Sequence, residues 1–336
     1  MIAAASRATI ADVAKRAGVS IATVSRVLNG TGQVAQSTAA RVQTAVAELN
    51  YKPHTAAKSL ASKRTNILGL LLPEISGDFI AHMLRGIESA VNQSGFDLLI
   101  STHRHRAGNG ARGPLGPHNT DGLLVFTTSL PDSELIHLHE SGFPIVLLYK
   151  SPPAADIPCV NVENKSGARK LVDHLIEVHD YRRIAFLTGP EDNEDSYWRE
   201  AGYRESLAAH GIPFDPSLVG VGGFDEDEGK VSVRQWLADG VQFDALFAGD
   251  DEAAIGALAV FNDVGRRVPD EVAVVGFDDL PIARLVTPPL TTVRAPTEKA
   301  GYEAAAQLIR LIRTGAAEAE ILLPTQLIVR RSCGCA

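Results

Sequence analysis

The first fifty residues of the chain carry apolar side chains at helical spacing. One stripe is formed by Ile10, Val13, Ala14 and Ala17. Thr9 before it predicts an N-cap that forms a capping box with Asp12, and Gly18 after it predicts the end of the helix. Ser20 is the predicted N-cap of a second helix over residues 21–29. Two short helices separated by a glycine turn indicate a helix-turn-helix, whose second helix enters the DNA major groove.

A further helical pattern follows a polar loop. Ser37 is the predicted N-cap of a helix over residues 38–49, which we expect to close a three-helix core with the first two. Residues 54–63 then read HTAAKSLASK, a helix-prone segment that is marginal in water because it is shorter than about 12 residues. By its residues alone, this segment is either a plain linker or a short helix.

From residue 66 the pattern changes to apolar runs of strand length that alternate with helical patterns. The runs lie at residues 67–73, 96–102, 120–127, 143–149, 183–189, 243–249 and 272–279. The helical patterns lie at residues 79–94, 167–178, 197–210, 228–239, 252–264 and 297–314. Continuous apolar runs are typical of buried parallel strands, so the alternation predicts parallel sheets covered by helices. The pattern occurs twice, on either side of about residue 163, which predicts two similar subdomains.

Residues 103–118 interrupt this alternation. Their sequence, HRHRAGNGARGPLGPH, is rich in glycine and proline and has no apolar stripe, a composition typical of loops. We expect no well-formed helix here, at least from residue 107 to residue 117. His103 and His105 have no acidic or cysteine residues beside them in the chain, so no metal site is predicted.

Length and composition narrow the class of protein. A chain of 336 residues is too long for one core of usual size and predicts two or three. No segment reaches the roughly 18 uncharged apolar residues of a membrane span. The first residues are expected to form a loose tail and not a signal peptide, because acidic Asp12 follows them closely. Cys159, Cys333 and Cys335 form neither a disulfide framework nor a zinc-site spacing, which favours a reducing cytoplasm.

Charge is distributed unevenly along the chain. Residues 1–66 contain nine Lys or Arg and two acidic residues, a net charge of +7, whereas the remaining 23 basic and 38 acidic residues give −15. A basic segment on an acidic body is typical of a DNA-binding module joined to a body that does not bind DNA. A basic segment can also be an ordinary solvated face, but this one coincides with the predicted helix-turn-helix.

Two stretches carry a resemblance to a known family. They are VSIATVSRVLNG at residues 19–30 and ELNYKPHTAAKSLA at residues 48–61. Through them, and over almost its whole length, the chain resembles the lactose-repressor (LacI/GalR) family of bacterial transcriptional regulators. An ordinary helical hairpin, the alternative for the first two helices, would not show this resemblance. The resemblance implies a helix-turn-helix DNA-binding domain at residues 1–53, a hinge helix or linker at residues 54–65, and an effector-binding and dimerisation domain at residues 66–336.

The resemblance also implies the fold of this last domain. It would be of the periplasmic-binding-protein type, with two doubly wound parallel-sheet lobes. The lobes are expected to comprise about residues 66–162 with 293–323, and about residues 163–290 with 324–336. Crossings between them are expected near residues 161–164, 289–295 and 323–325. An effector would bind in the cleft between the lobes, outside the carboxyl ends of the strands.

In the helix-turn-helix, the resemblance assigns base reading to Arg26, because a guanidinium can pair bidentately with guanine O6 and N7. Ile21 and Ala22 occupy positions that vary between operators, and both can only contact thymine methyl groups or exclude water. Ala57 and Leu60 lie in the hinge, where the leucine corresponding to Leu60 wedges into the minor groove and kinks the duplex. Phosphate contacts set the register of the protein on DNA. The expected ones are Thr9, Ser20, Thr23, Ser25 and Asn29. Thr9 and Ser20 would also cap helices.

The expected effector contacts lie mostly at strand ends. They are Asp78, Phe79, Asn193, Arg199, Phe224, Asp250 and Asp278. Arg199 corresponds to the family's effector-binding arginine and Phe224 to an aromatic residue that stacks on the ligand, whereas Asp250 stands where most relatives have asparagine. Carboxylates, an arginine and aromatic faces suit a carbohydrate, with a purine as the alternative. Asp250 and Asp278 could instead only cap helices.

These features together predict a sequence-specific DNA-binding regulator that acts as a homodimer on a pseudopalindromic operator. We expect a repressor released by a sugar effector; a purine-responsive regulator of corepressor type is the alternative, and a carbohydrate-binding protein or an enzyme is a distant one. The sequence has no nucleophile elbow, P-loop or clustered His and Cys to favour an enzyme. A transport protein would not need the basic segment, and a nucleoid protein would not need the body. No cofactor, metal, membrane contact or tetramer-forming heptad helix is expected.

Overall fold

The computed structural model describes residues 8–30, 32–51, 64–102, 115–153 and 156–336. Most of the predicted hinge, including Ala57 and Leu60, and residues 103–114 lie outside the described residues. The chain divides into two compact units, residues 1–65 and residues 66–336, which we call the head and the body. Among the described residues, no helix combines the length and the apolar character needed to cross a bilayer.

The described part of the head contains helices α1 (Ile10–Ala17), α2 (Ile21–Asn29) and α3 (Gln36–Glu48). The predicted capping box is confirmed, because the Asp12 N–H donates to Thr9 Oγ1 (3.3 Å) and the Thr9 N–H donates to the Asp12 carboxylate (2.8 Å). The Thr23 N–H donates to Ser20 Oγ (3.1 Å), so Ser20 caps α2. The three helices close around Val13, Ala14, Ala17, Val24, Val42 and Ala45.

The prediction that Ser37 caps the third helix is wrong. Ala35 occupies the N-cap, and its carbonyl accepts the N–H groups of Thr38 and Ala39. No side chain caps this helix, so packing against α1 and α2 and not a local signal fixes where it begins.

The body alternates strands and helices. Its strands are β1 (Ile67–Leu72), β2 (Asp97–Thr102), β3 (Gly122–Phe126), β4 (Ile145–Leu148), β5 (Cys159–Val162), β6 (Ile184–Thr188), β7 (Val219–Val221), β8 (Ala245–Ala248), β9 (Ala273–Val275), β10 (Thr292–Arg294), β11 (Glu320–Leu323) and β12 (Gln326–Ile328). Its helices are α4 (Gly77–Ser94), α5 (Asp132–Glu140), α6 (Asn164–His179), α7 (Glu194–Ala209), α8 (Glu226–Ala238), α9 (Asp251–Asp263) and α10 (Thr297–Thr314).

The strands form two parallel sheets that define two lobes. The first lobe has the order β11-β5-β4-β3-β1-β2, and the second has the order β7-β6-β8-β9. Every residue of β3, β4 and β8 is buried, as expected for apolar strands covered on both faces. The predicted fold class, a helical head followed by an α/β body with two parallel sheets, is confirmed.

The chain crosses between the lobes three times. It leaves the first sheet after β5 and enters α6 of the second lobe, returns between β10 and α10, and crosses again between β11 and β12. A small antiparallel pair, β10 with β12, joins the last two crossings. Val293 and Ala295 pack in the core of the second lobe, so the second crossing follows Ala295, whereas the sequence placed the lobe boundary at about residue 293.

Two parts of the first lobe differ from a regular alternation. Helix α5 was not expected from the sequence, because its apolar stripe is short. In the structure, Leu135 is the only buried residue along its length. Within the 103–118 stretch, the described residues 115–118 form bends and turns. Leu115 is 7% exposed and packs with Leu71 and Leu123, which anchors this end of the stretch to the sheet.

Candidate nucleic-acid interface and ligand cleft

The second helix of the head presents the predicted base-reading residues on one face. Ala22 and Arg26 are four positions apart and share a face of the helix, and Ile21 lies beside Ala22. All three are exposed, Ile21 by 51%. Val24 on the opposite side of α2 is fully buried. The core therefore fixes which face of α2 is available to a partner.

The predicted phosphate contacts lie around the N-termini of α1 and α2 or along α2. Thr9 and Ser20 use their hydroxyl oxygens as caps. The Thr23 hydroxyl lies 2.9 Å from Ser20 Oγ, and Asn29 Nδ2 donates to Ser25 Oγ (3.2 Å). These hydrogen bonds restrict the side chains, and helix N-termini offer backbone N–H groups and a favourable dipole to a phosphate.

In the body, Arg199 on α7 is the centre of a buried hydrogen-bond network. It is 2% exposed. Its Nε donates to Asn164 Oδ1 (2.9 Å), one terminal nitrogen donates to the Gly249 carbonyl (2.7 Å), and the other donates to the Asp278 carboxylate (3.0 Å). A buried cation is tolerable only with such partners, so these residues hold one another in place.

Four carboxyl groups near this network are buried. They belong to Asp195, Asp250, Asp251 and Asp278. Loss of hydration disfavours the charged form and raises the pKa of Asp195 to about 7 and that of Asp250 to about 8. It also raises the pKa of Asp251 and Asp278, the latter against the opposing charge of Arg199. The raised pKa values favour the protonated form of these carboxyls, which can both donate and accept hydrogen bonds.

Aromatic rings lie on both lobes beside the network. Phe79, Phe126 and Tyr149 of the first lobe contact one another, with ring centroids 5.3–6.1 Å apart. Phe224 of the second lobe has a φ of +58° and lies over Gly189, where a Cβ would collide with the ring. Phe224 is 5.1 Å from the Arg199 guanidinium. The arrangement combines flat apolar faces with a dense set of polar groups.

Contacts between the lobes occur next to this cluster. The Ser151 N–H donates to the Glu194 carboxylate (2.6 Å), and the Ser151 hydroxyl donates to the same carboxylate. Burial alone would raise the pKa of Glu194, but these donors and Trp198 outweigh it, so the pKa is lowered. The first lobe is thereby tied to the N-terminus of α7, the helix that carries Arg199.

The structure brings four of the seven predicted effector residues together, namely Arg199, Phe224, Asp250 and Asp278. Phe79 belongs to the aromatic cluster of the facing lobe. Asp78 is exposed in the first turn of α4. Asn193 caps α7 by accepting the Ser196 N–H (3.1 Å), which gives it a structural role of its own. Asp250 likewise caps α9 through the Ala253 N–H (2.9 Å).

Two residues of the cluster, Asn164 and Tyr149, were missing from the predicted effector contacts. Asn164 follows the first crossing and bridges Arg199 to Asp195, to whose carboxylate its Nδ2 donates (2.7 Å). The Tyr149 hydroxyl is buried without a hydrogen-bond partner among the described residues. Burial and the charge of Asp195 raise the pKa of this hydroxyl, whereas the neighbouring Thr297 hydroxyl and Arg199 lower it. A strand-end position was the available signal for Tyr149, which directly follows β4.

A cavity of about 660 Å³ adjoins the network, a volume within the range of small-molecule sites. Its lining includes Asn164, Asp195 and Trp198 but not Arg199 or Asp278. The cavity therefore borders the arginine network without containing it.

The raised pKa of Asp250 predicts that the effect of replacing this residue on thermal stability depends on pH. The carboxyl binds a proton more tightly in the folded body than in the unfolded chain. Protonation of Asp250 therefore stabilises the folded body at pH 4, and this stabilisation is lost as the pH rises through about 8. Asp250→Asn keeps the capping oxygen and removes the ionisation. We expect a higher Tm than wild type at pH 8, by at least about 2 °C, and a smaller difference at pH 5.

The matched control is Asp225→Asn, because Asp225 caps α8 in the same way but is exposed. Its effect on Tm should be small and similar at both pH values. Differential scanning fluorimetry of the ligand-free protein measures both variants. An Asp250→Asn gain that is equal at pH 5 and pH 8 would contradict the burial argument.

Comparison with known proteins identifies the chain's relatives. Residues 9–54 match the family described as bacterial regulatory proteins, lacI family, and residues 172–333 match the periplasmic binding protein-like domain. The HTH-type transcriptional regulator CelR of Thermobifida fusca is 36% identical over 339 residues, which covers 97% of this chain and 98% of that protein. The chain belongs to the lacI family of bacterial regulatory proteins.

Solved structures agree with this membership. A transcriptional regulator CelR–cellobiose complex is 35% identical, with a TM-score of 0.72 and coverage of 97% of this chain and all of that one. The lac repressor dimer bound to operator and the anti-inducer ONPF is 28% identical, with a TM-score of 0.84 and coverage of 97% and 99%. The resemblance inferred from residues 19–30 and 48–61 is confirmed, and the chain is a DNA-binding transcriptional regulator and not an enzyme.

Proposed function

We propose that this regulator is a cytoplasmic homodimeric repressor that binds a pseudopalindromic operator and is released from it by a neutral sugar. The exposed face of α2 supports DNA reading, and one such face covers too short a half-site to be unique, which favours a dimer. The relatives support the effector class, since one is in complex with cellobiose. The assignment of a sugar as the effector rests on the buried network of Arg199 and the neighbouring carboxyl groups.

The electrostatics of the cluster favour a neutral polyol. The Arg199 guanidinium bonds to Asp278, and three further buried carboxyls with raised pKa values lie near this network. An anionic ligand would add to the unfavourable charge among these groups, whereas sugar hydroxyls can donate to carboxylates and accept from protonated carboxyls. The rings of Phe79 and Phe224 provide apolar surfaces for the C–H faces of a sugar.

The test is a thermal-shift panel followed by an operator-release assay. The ligands are cellobiose, galactose, ribose, hypoxanthine and guanine, and only sugars are expected to raise the Tm. The stabilising sugar is then added to the protein bound to an operator selected from a random duplex library. Loss of fluorescence anisotropy supports repression relieved by a sugar; stabilisation by a purine alone, or tighter DNA binding with the sugar, contradicts the proposal.

Tyr149→Phe tests the site within the cluster. Because the hydroxyl is buried without a partner, its removal should leave the stability of the free protein unchanged or slightly increased. If the hydroxyl bonds to the sugar, the variant should bind it roughly 5–10-fold more weakly, equivalent to about 1–1.5 kcal/mol. Isothermal titration calorimetry measures the affinity.

Tyr203→Phe is the matched control for Tyr149→Phe. The Tyr203 hydroxyl is also buried but donates to the Ile184 carbonyl (2.8 Å) in the core of the second lobe. Its removal should lower the Tm and leave sugar affinity unchanged. An unaltered sugar affinity in Tyr149→Phe would remove Tyr149 from the site.

A further inference from the structure

Two histidines and two cysteines far apart in sequence meet on the second lobe. His174 and His179 lie on the last turns of α6, and Cys333 and Cys335 lie in the segment that follows β12. Their ligand atoms all lie within 4.8 Å of one another. Sequence patterns do not predict this cluster, because His174 and Cys333 are 159 positions apart and the cysteines alone lack a zinc-site spacing.

Three of the six distances between the ligand atoms match the edges of a coordination tetrahedron, and all six lie within 4.8 Å. For Zn–S bonds of about 2.3 Å and Zn–N bonds of about 2.0–2.1 Å, tetrahedral geometry places neighbouring ligand atoms about 3.3–3.8 Å apart. The His174 Nε2 atom lies 3.6 Å from Cys333 Sγ and 3.6 Å from Cys335 Sγ, and His179 Nε2 lies 3.4 Å from Cys335 Sγ. The two imidazole rings meet edge to face, with centroids 5.2 Å apart and an interplanar angle of 79°.

The backbone holds the two cysteines in this arrangement. Cys333 ends a 3-10 turn, and Gly334 after it has a φ of +106°, which favours glycine over any residue with a side chain. Ser332 fixes the turn by donating to the Val274 carbonyl (2.5 Å) and accepting the Thr291 N–H (2.8 Å). The segment is therefore bound to the second lobe independently of the cluster.

Neighbouring groups support thiolate and imidazole ligands. The Thr291 hydroxyl lies 3.1 Å from Cys333 Sγ, within reach to donate to a thiolate. The Tyr181 hydroxyl donates to the Cys333 carbonyl (3.3 Å), and its ring stacks on His179 with centroids 5.4 Å apart. Cys333 is fully buried, and the other three are partly buried, so the site is shielded but reachable.

We propose that His174, His179, Cys333 and Cys335 bind one Zn²⁺ ion in a tetrahedral site. Two cysteines and two histidines in a tetrahedron are typical of structural zinc sites, whereas Mg²⁺ and Ca²⁺ require oxygen ligands. Binding releases the two thiol protons, and two thiolates with two neutral imidazoles give an uncharged complex. With four protein ligands the site is structural, and it fastens the segment after the third crossing to the end of α6.

The experiment uses the full chain, purified in reducing buffer, saturated with Zn²⁺ and dialysed against metal-free buffer. We expect about one zinc per chain by mass spectrometry of the metal. The Co²⁺-loaded protein should show tetrahedral d–d bands and a thiolate-to-cobalt charge-transfer band. Cys335→Ser and His179→Ala change partly buried residues, and each should lower zinc affinity in a chelator competition by at least about tenfold.

Cys159→Ala is the matched control, because Cys159 is the chain's other cysteine and lies in β5 of the first lobe. It should retain one zinc, and EDTA should lower the Tm of this variant and of wild type but not that of Cys335→Ser. The proposal is overturned if reduced wild type retains less than about 0.1 zinc per chain, or if Cys335→Ser and His179→Ala both bind zinc as tightly as wild type does. Thiol titration before loading verifies that the cysteines are reduced, which excludes a Cys333–Cys335 disulfide as the cause of a negative result.

Discussion

Replacing Arg199 with alanine is expected to destabilise the body by roughly 3–5 kcal/mol, the usual cost of removing one partner of a buried ion pair. The substitution leaves the Asp278 carboxylate without its cation and the Asn164 and Gly249 oxygens without donors. It should also abolish sugar binding. Thermal unfolding checks the first effect, with a Tm change of roughly 2–4 °C for each kcal/mol, and calorimetry checks the second.

The double variant Arg199→Met, Asp278→Asn separates the two effects. It removes both charges and fills much of the volume, so it should recover most of the lost stability without recovering sugar binding. The penalty of Arg199→Ala should also shrink as pH falls, because Asp278, whose pKa burial already raises, then becomes neutral. A cost below about 1 kcal/mol for Arg199→Ala, or a double variant that binds sugar normally, would contradict this account of the network.

Replacing Arg26 with alanine is expected to cost roughly 1–3 kcal/mol for each half-site and to relax preference at one base pair. The residue is exposed on the same face of α2 as Ile21 and Ala22, where a guanidinium can reach a guanine edge. The measurement is fluorescence anisotropy with the selected operator and with random duplex DNA at one fixed salt concentration. The operator affinity should fall far more than the random-DNA affinity.

Two other head variants serve as controls for Arg26→Ala. Arg41→Ala removes an equal charge from the exposed surface of α3 and should lower both affinities similarly through the electrostatic component of binding. Thr23→Ala removes a hydroxyl held beside Ser20 and should also weaken binding to all sequences alike. Equal losses on operator and random DNA for Arg26→Ala would exclude a base-reading role.

The sequence by itself determined the features that depend on neighbouring residues. Thr9 with Asp12, Ser20 and Gly18 mark helix ends through hydrogen bonds and dihedral preferences that act within a few residues. Apolar runs alternating with helical patterns predicted the parallel sheets, and α10 has the bounds that its pattern predicted. The predicted starts of α6, α7 and α8 were late, because the first turns of these helices are polar and carry no apolar stripe.

Only the tertiary structure decided which distant polar residues meet. Arg199 and Asp278 are 79 positions apart, and their distance depends on how α7 packs beside the end of β9. The same holds for Asn164 and Tyr149 in the ligand cluster and for the two histidines and two cysteines on the second lobe. Periodicity tells which face of an element is apolar, but it carries no information on which elements become neighbours. The start of α3 at Gln36, without a capping side chain, shows the same dependence on packing in the head.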